Sequence, residues 1–222
     1  MIRAVLFDLD GTLLDRQTCV RNCIQDQFAR FSNRLGSVSM EEFLALFGAL
    51  DQRGYVPKTE VYERMRMDLG FSLPLSRALT DDYFLSYPRF CTGFPNMMET
   101  LNVLRDRGAK LAIVTNASVS FQSSAIQALG IKHLFDAIMI SEAEGVRKPD
   151  RRIFDLTLAR LEVAPADAVF VGDHPGIDIR GAQSAGMRAI WKRDDYWGAC
   201  AFADAVIEEL EELPGVLDRL AV

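Results

Sequence analysis

Two aspartates, Asp8 and Asp10, follow directly on the apolar run IRAVLF, and Gly11 comes next. Alternate side chains of an extended segment point the same way, so both carboxylates can reach the same end of that run. Glycine then allows a sharp turn. Ionised carboxylates do not gather unless a cation lies between them. The pair is therefore typical of a metal site in which one acid is left to attack an electrophile such as phosphorus.

Further reactive side chains follow other apolar runs of the chain. Thr115 and Asn116 come after KLAIV, and Lys148 lies between the third predicted strand and the next helix. Asp173 and Asp178 come after AVFV. An ammonium group and a hydroxyl suit the oxygens of a transferring phosphoryl group. A ligand set made of oxygen atoms, without soft ligands, favours Mg2+.

Strands that alternate with helices position these side chains. The predicted strands are Ile2–Phe7, Lys110–Thr115, Ala137–Ile140, Ala168–Gly172, Arg188–Trp191 and Ala205–Ile207. The predicted helices are Asn96–Arg107, Val119–Leu129, Pro149–Leu161, Ile177–Ala185 and, with a break at Pro214, Glu208–Leu220. This alternation predicts an α/β fold with a doubly wound, mostly parallel, Rossmann-like sheet covered on both faces. In such a sheet ligands bind beyond the carboxyl ends of the strands, where the side chains named above lie.

The pattern changes to helix alone between Asp15 and Thr92. Apolar residues recur there at helical spacing, and no convincing strand appears. The examples are Val20, Ile24, Phe28 and Phe31, then Phe43, Leu44 and Phe47, then Val61, Met65 and Leu69. We therefore predict an α/β core domain of residues 1–15 and 92–222, interrupted by a helical domain of residues 16–91.

Composition limits the classes of partner. The chain has 222 residues, 49% of them hydrophobic and 25% charged, with a net charge of −6. This balance is that of a globular protein, and an acidic chain does not favour nucleic acid. No run approaches the ~20 apolar residues of a membrane span, and no signal-peptide cleavage site follows the N-terminal run. We expect a cytoplasmic protein whose cysteines are reduced thiols; these are Cys19, Cys23, Cys91 and Cys200.

The segments that carry the reactive residues resemble the motifs of one enzyme superfamily. The string DLDGTLLD, residues 8–15, resembles the first motif of the haloacid dehalogenase superfamily, most of whose members are phosphatases. Thr115 in VTN resembles the second motif, Lys148 in RKPD the third, and residues 172–178 the fourth. All four occur in the family's order. The insertion resembles the α-helical cap of the subfamily that includes phosphoglycolate phosphatase.

The resemblance implies roles for the two aspartates of the first motif. Asp8 would attack phosphorus and form an aspartyl-phosphate. Asp10 would protonate the leaving oxygen and then activate the water that cleaves the intermediate. The implied substrate is a small phosphorylated metabolite.

The other motifs supply binding roles by the same resemblance. Thr115 and Asn116 would contact the phosphoryl oxygens, and Lys148 would neutralise them and steady Asp8. Asp173 would bind Mg2+ together with Asp8 and the backbone carbonyl of Asp10. Asp178 would support the metal shell or orient Lys148 from outside it.

Several readings stay open at this stage. A phosphomutase acting on a sugar phosphate uses the same residues. A dehalogenase is disfavoured because the superfamily's dehalogenases lack the second aspartate, Asp10. Phosphonate cleavage would need a cap lysine, for which only Lys58 is available, and a non-catalytic binding protein is disfavoured by the intact residue set. The substrate, the oligomeric state and the role of His174 stay open, and we interpret Trp191 and Trp197 as packing at the rim.

Overall fold

Six parallel strands form one sheet in a computed structural model that describes residues 2–220. The strands are β1 (Ala4–Phe7), β2 (Lys110–Thr115), β3 (Ala137–Ile140), β4 (Ala168–Gly172), β5 (Arg188–Lys192) and β6 (Ala205–Ile207). Their order across the sheet is β3-β2-β1-β4-β5-β6, and every neighbouring pair is parallel. The predicted α/β fold is confirmed. The first strand begins at Ala4 rather than Ile2, and the fifth ends one residue later than predicted.

The strand order brings the reactive side chains to one edge. The chain builds outward from β1 through β2 to β3, then returns to the other side of β1 with β4 and continues outward. Ala4 to Phe7 pair with residues of β2 on one side and of β4 on the other. The residues that follow β1, β2 and β4 are therefore neighbours at the point where the strand order reverses, which is where open α/β sheets bind ligands.

Helices cover the sheet within the core unit. They are α5 (Met97–Asp106), α6 (Val119–Ala128), α7 (Ser141–Glu144), α8 (Arg151–Leu161), α9 (Arg180–Ser184) and α10 (Leu213–Leu220). Two predictions were wrong in detail. Pro214 does not break the last helix but lies in its first turn, where a missing N–H costs no intrahelical bond. The helix predicted to begin at Ile177 is preceded by a π-helical turn, Pro175–Ile179, and α9 itself is short.

The chain divides into two compact units. One consists of the residues up to Asp15 together with those from Thr92 onward, and the other, which we call the helical module, is Arg16–Cys91. The outer limits predicted for the core, Met1 and Val222, lie outside the described residues. Within residues 2–220, no helix has both the length and the apolar character needed to cross a bilayer. No disulfide joins the cysteines among the described residues.

Four α-helices and short 3-10 turns build the helical module. The helices are α1 (Arg16–Phe31), α2 (Met40–Asp51), α3 (Lys58–Leu69) and α4 (Leu73–Ser86). The fourth was not marked by an apolar spacing in the sequence. Its start is fixed by Ser72, whose hydroxyl accepts a hydrogen bond from the amide of Leu75.

Lys58 is buried in this module and lies beside the carboxylate of Asp51, with Nζ–Oδ1 2.5 Å. The guanidinium of Arg16 binds the other oxygen of Asp51 at 2.8 Å. An adjacent carboxylate favours the charged form of an amine. Lys58 is therefore part of a buried ion pair within the module, with Asp51 and Arg16 as its neighbours.

Candidate active site

The loop after β1 holds Asp8 and Asp10 close to the end of β4. The amide of Asp8 donates to the carbonyl of Val171 at 2.9 Å, which continues the sheet pairing by one residue. Gly11 has φ +86°, and a Cβ there would lie 2.7 Å from Oδ2 of Asp173. Only glycine meets both the backbone angle and the lack of space. The turn therefore lets the first motif approach the fourth.

Lys148 bridges two of the acids. Its Nζ lies 2.5 Å from Oδ1 of Asp8 and 2.7 Å from Oδ1 of Asp178, and its side chain is 2% exposed. Burial lowers the pKa of Lys148, but the two carboxylates outweigh burial and hold the pKa above its usual value. Lys148 is therefore a fixed positive charge beside Asp8, as a residue that neutralises phosphoryl oxygens must be.

Asn116 fixes the backbone of Lys148. Its Nδ2 donates to the carbonyl of Lys148 and its Oδ1 accepts from the amide of Lys148, both at 2.9 Å. Both ends of the side-chain amide are thus engaged. The side chain of Asn116 therefore joins the end of β2 to the loop that carries Lys148.

Three carboxylates gather at the centre of the site. Asp8, Asp173 and Asp178 each offer one oxygen, and these oxygens lie within 4.8 Å of one another. Burial raises the pKa of Asp8 to about 7, with Lys148 opposing the shift and Asp178 adding to it. Burial, followed by the charges of Asp178 and Asp8, holds the pKa of Asp173 well above its usual range. The cluster has more negative charge than Lys148 offsets, and its hard oxygen donors fit a divalent cation.

The two tryptophans of the chain both donate to Asp173. The indole Nε1 of Trp191 lies 2.6 Å from the carbonyl oxygen of Asp173, and Nε1 of Trp197 lies 3.1 Å from its Oδ2. The interpretation as rim packing was wrong for Trp191, which is buried in the core, whereas Trp197 is half-buried and packs against the ring of His174. Trp191 thus holds the backbone of Asp173, and Trp197 orients its carboxylate, as outer groups around metal ligands do.

Asp178 and His174 shape the turn that follows β4. Oδ2 of Asp178 accepts from the amide of His174 at 3.0 Å, so both oxygens of Asp178 have partners. Nδ1 of His174 accepts from the amides of Gly176 and Ile177, and burial lowers the pKa of the imidazole. A Cβ on Gly172 would lie 2.5 Å from Cβ of Asp178, so glycine is required there. His174 therefore binds the turn through its ring nitrogen, and Asp178 joins that turn to Lys148.

Gln122 links Asp10 to Thr115. Its Nε2 donates to Oδ2 of Asp10 at 2.7 Å and to Oγ1 of Thr115 at 2.8 Å. The part that Gln122 plays was not predicted from the sequence. A usable signal existed, because Gln122 stands three and four residues before the buried Ala125 and Ile126 and so occupies the apolar face of α6.

The structure brings all the predicted site residues to one sheet edge in two linked groups. Asp8, Lys148, Asp173 and Asp178 form the first group. Asp10 and Thr115 are joined through Gln122 in the second, and Asn116 is tied to Lys148.

The chain belongs to the haloacid dehalogenase-like hydrolase family, whose model matches residues 5–192. A ribulose-1,5-bisphosphate 5-phosphatase of Halopiger xanaduensis is 30% identical over 86% of this chain and 84% of its own length. The predicted family and the prediction of a phosphatase-type enzyme are confirmed.

Two solved structures of the family resemble the chain over nearly its whole length. A haloacid dehalogenase-type phosphatase from Thermococcus onnurineus has a TM-score of 0.70 and 29% identity, and covers 97% of this chain and 98% of its own. A 2-haloacid dehalogenase from Pseudomonas syringae has a TM-score of 0.63 and 32% identity, with 99% of each chain covered. The family therefore includes both phosphorus and carbon–halogen chemistry among this chain's relatives.

Proposed function

We propose that the chain hydrolyses a small phosphate monoester with Mg2+ as cofactor and Asp8 as the nucleophile. The observation that carries the proposal is the separation of the two acids of the first motif. Asp8 lies against the ammonium of Lys148, whereas Asp10 lies against the amide of Gln122. Two carboxylates in different surroundings are the usual means of dividing nucleophilic and proton-transfer roles in one site.

The proposed reaction has two displacements at phosphorus. An oxygen of Asp8 attacks the phosphorus, the bond from phosphorus to the leaving oxygen breaks, and Asp10 gives its proton to that oxygen. Asp10 then takes a proton from water, whose oxygen attacks the aspartyl-phosphate and releases inorganic phosphate and Asp8. Lys148, the hydroxyl of Thr115 and the backbone of Asn116 bind the phosphoryl oxygens. These roles rest on the family resemblance and are supported by the distances above.

The metal assignment rests on the carboxylate cluster. Asp8, Asp173 and the backbone carbonyl of Asp10 would hold Mg2+, with Asp178 acting through Lys148. When bound, the ion would offset the charge of the acids and of the phosphoryl oxygens. We also propose that residues 16–91 act as the cap domain and select the group attached to the phosphate.

Carbon–halogen hydrolysis is the second candidate, favoured by the identity to a 2-haloacid dehalogenase. Asp10 distinguishes the two reactions, because the superfamily's dehalogenases lack this aspartate. Halide release needs no proton donor for the leaving group, whereas an alkoxide does. The presence of Asp10 therefore supports phosphate ester hydrolysis.

The test is a phosphate-release screen over a panel of phosphorylated metabolites, with Mg2+ and with a chelator, alongside a halide-release assay on 2-chloro acids. We expect phosphate release that requires Mg2+. Full activity after chelation and dialysis would overturn the metal assignment. Halide release without phosphate release would favour the second candidate, and an isomerised sugar phosphate without free phosphate would indicate a mutase.

A further inference from the structure

The side-chain amide of Gln122 is buried, and its nitrogen and its oxygen differ in their hydrogen bonding. Its side chain lies in α6 and the residue is 1% exposed. Both hydrogens of Nε2 are used, one by Asp10 and one by Thr115. Oε1 is buried as well, and it finds no hydrogen-bond partner among residues 2–220. A buried carbonyl without a partner opposes folding, so an apolar side chain of the same size would suit packing better.

We propose that Gln122 is a positioning residue that prepares Asp10 and Thr115 for phosphoryl transfer. The proposal rests on the proposed function, since it assumes that Asp10 supplies the proton to the leaving oxygen. Gln122 contacts neither Asp8 nor Lys148 through the hydrogen bonds described, and it acts through the two residues that it joins.

The first effect is on the location of the proton of Asp10. An N–H group already donates to Oδ2, and an oxygen that accepts at short distance from such a donor is not the one that carries the proton. Oδ1, which the amide does not contact, is therefore the oxygen oriented for proton transfer. Gln122 also stops the carboxyl group from rotating, so that Oδ1 keeps one orientation through both half-reactions.

The second effect is on the hydroxyl of Thr115. Oγ1 accepts from Gln122, and a hydroxyl has one hydrogen to donate. Because the acceptor side of Oγ1 is occupied, that hydrogen can be directed at an acceptor such as a phosphoryl oxygen. One amide thus sets a proton donor for the leaving group and a hydrogen-bond donor for the phosphoryl group.

The test compares leaving groups. Gln122→Met keeps the length of the side chain and removes both hydrogen bonds and the orphaned carbonyl. The substrates are p-nitrophenyl phosphate, whose phenolate leaves without protonation, and the best alkyl phosphate from the metabolite panel. We compare kcat/KM, because this constant reports the steps through loss of the leaving group. We expect a loss of about 10- to 100-fold for the alkyl phosphate and a smaller loss, about 3-fold, for the aryl phosphate.

Two further variants separate positioning from packing. Gln122→Glu keeps the shape but places an acceptor beside Asp10, so it should show the same bias toward the aryl phosphate. Gln183→Met removes an amide of the core unit that binds Phe202 and Asp204, away from the site, and should leave the ratio of the two kcat/KM values unchanged. The melting temperature of Gln122→Met should lie close to that of the wild type, because loss of the orphaned carbonyl offsets loss of the two hydrogen bonds.

The outcomes are distinct. Equal losses on both substrates with a lowered melting temperature would overturn the proposal in favour of a structural role. If Gln122→Met does not fold, a wild-type ratio in Gln122→Glu would overturn it instead. If the wild type hydrolyses neither ester, or if Asp8→Asn remains active, the proposed function itself fails.

Discussion

In the helical module, the buried side chain of Gln27 uses every hydrogen-bonding atom that it has. Its Nε2 donates to the carbonyl of Leu79 and to Asp82, each at 2.9 Å, and its Oε1 accepts from the hydroxyl of Tyr62 at 2.5 Å. Gln122 at the sheet edge has the same chemistry, but its Oε1 has no partner among residues 2–220. The first amide is satisfied by the fold alone, whereas the second is oriented toward two groups that are proposed to react.

The carboxylates of the two regions also differ, in the direction in which folding shifts their pKa. Asp82 of the module is bound by Arg30; burial raises the pKa of Asp82, but hydrogen bonds from Arg30, Gln27 and Ser86 outweigh burial and leave it below the usual value. At the sheet edge, burial holds the pKa of Asp8 and of Asp173 above the usual value. The module's acids therefore stabilise the fold as anions, and those of the site oppose it. Polar groups that cost stability mark the region where function is expected.

The largest expected effect is on turnover. Asp8→Asn removes the proposed nucleophile, so phosphate release should fall by at least about 10³-fold. The far-ultraviolet circular dichroism should match that of the wild type, because the amide keeps the shape of the side chain. Near wild-type turnover in this variant would require a different nucleophile, and Gln27→Met serves as the control in which turnover of the folded protein should persist.

The next effect is on the stability of the module. Gln27→Met leaves the hydroxyl of Tyr62 and the carbonyl of Leu79 without their amide partner, so unfolding should become easier by about 1–3 kcal/mol. Urea denaturation followed by circular dichroism measures this change. A stability equal to that of the wild type would contradict the view that this network supports the fold.

A smaller change in stability, this time an increase, is expected when an acid of the site is replaced. The raised pKa values of Asp8 and Asp173 mean that the metal-free folded chain binds more protons than the unfolded chain. Its stability should thus fall as pH rises from about 4, the unfolded value, toward 7. Asp173→Asn removes part of this cost, so in chelator at pH 7 it should melt higher by about 2–4 °C.

The same variant has a second readout. Mg2+ should raise the melting temperature of the wild type, since a ligand that binds only the folded state stabilises it, and should leave Asp173→Asn unchanged. Asp82→Asn in the module is the matched control, and it should melt lower at pH 7. A fall in the melting temperature of metal-free Asp173→Asn would show that the acid cluster does not oppose folding.

The smallest effect concerns a surface acid of the module. Glu42 accepts from the amide and the hydroxyl of Ser39 at 2.9 Å and 2.8 Å at the start of α2, and these hydrogen bonds lower its pKa. The stabilisation that ionised Glu42 gives to the fold is present above the pKa of the unfolded chain, about 4.3. It is lost as the pH falls through the lower pKa of the folded chain. Glu42→Gln should therefore melt slightly lower at pH 7, and this difference should shrink as the pH falls below about 4. A difference that does not shrink would assign it to something other than the charge.

The site residues that directly follow the strands could be predicted from the sequence. Asp8, Thr115 and Asp173 follow runs of buried strand residues, and parallel strands carry their ends to one edge, so a local pattern was enough to assemble them. Gln122 was not accessible in this way, because its contacts depend on how α6 packs against the sheet. The contact of Trp197 with Asp173 was not predicted for a similar reason, since Trp197 lies on a loop after β5 whose path no periodic pattern predicts.

The known effect of proline on helices led to one wrong prediction. Pro214 was predicted to break the last helix because proline removes an N–H donor, but the helix begins just before it. The sequence contains the same proline in either case, and only the position of the helix start decides its effect. Start positions depend on tertiary contacts, which explains why the strands were predicted more closely than the helix ends.

The two indole N–H groups that bind Asp173 make the intrinsic tryptophan fluorescence of the chain a reporter on that residue. The chain has two tryptophans, and both bind this residue. Its entire tryptophan fluorescence therefore arises beside one residue, from one indole at its backbone carbonyl and one at its carboxylate. A change in charge at Asp173 should alter the emission directly, so that ion binding can be followed in the unlabelled protein, in real time and without substrate.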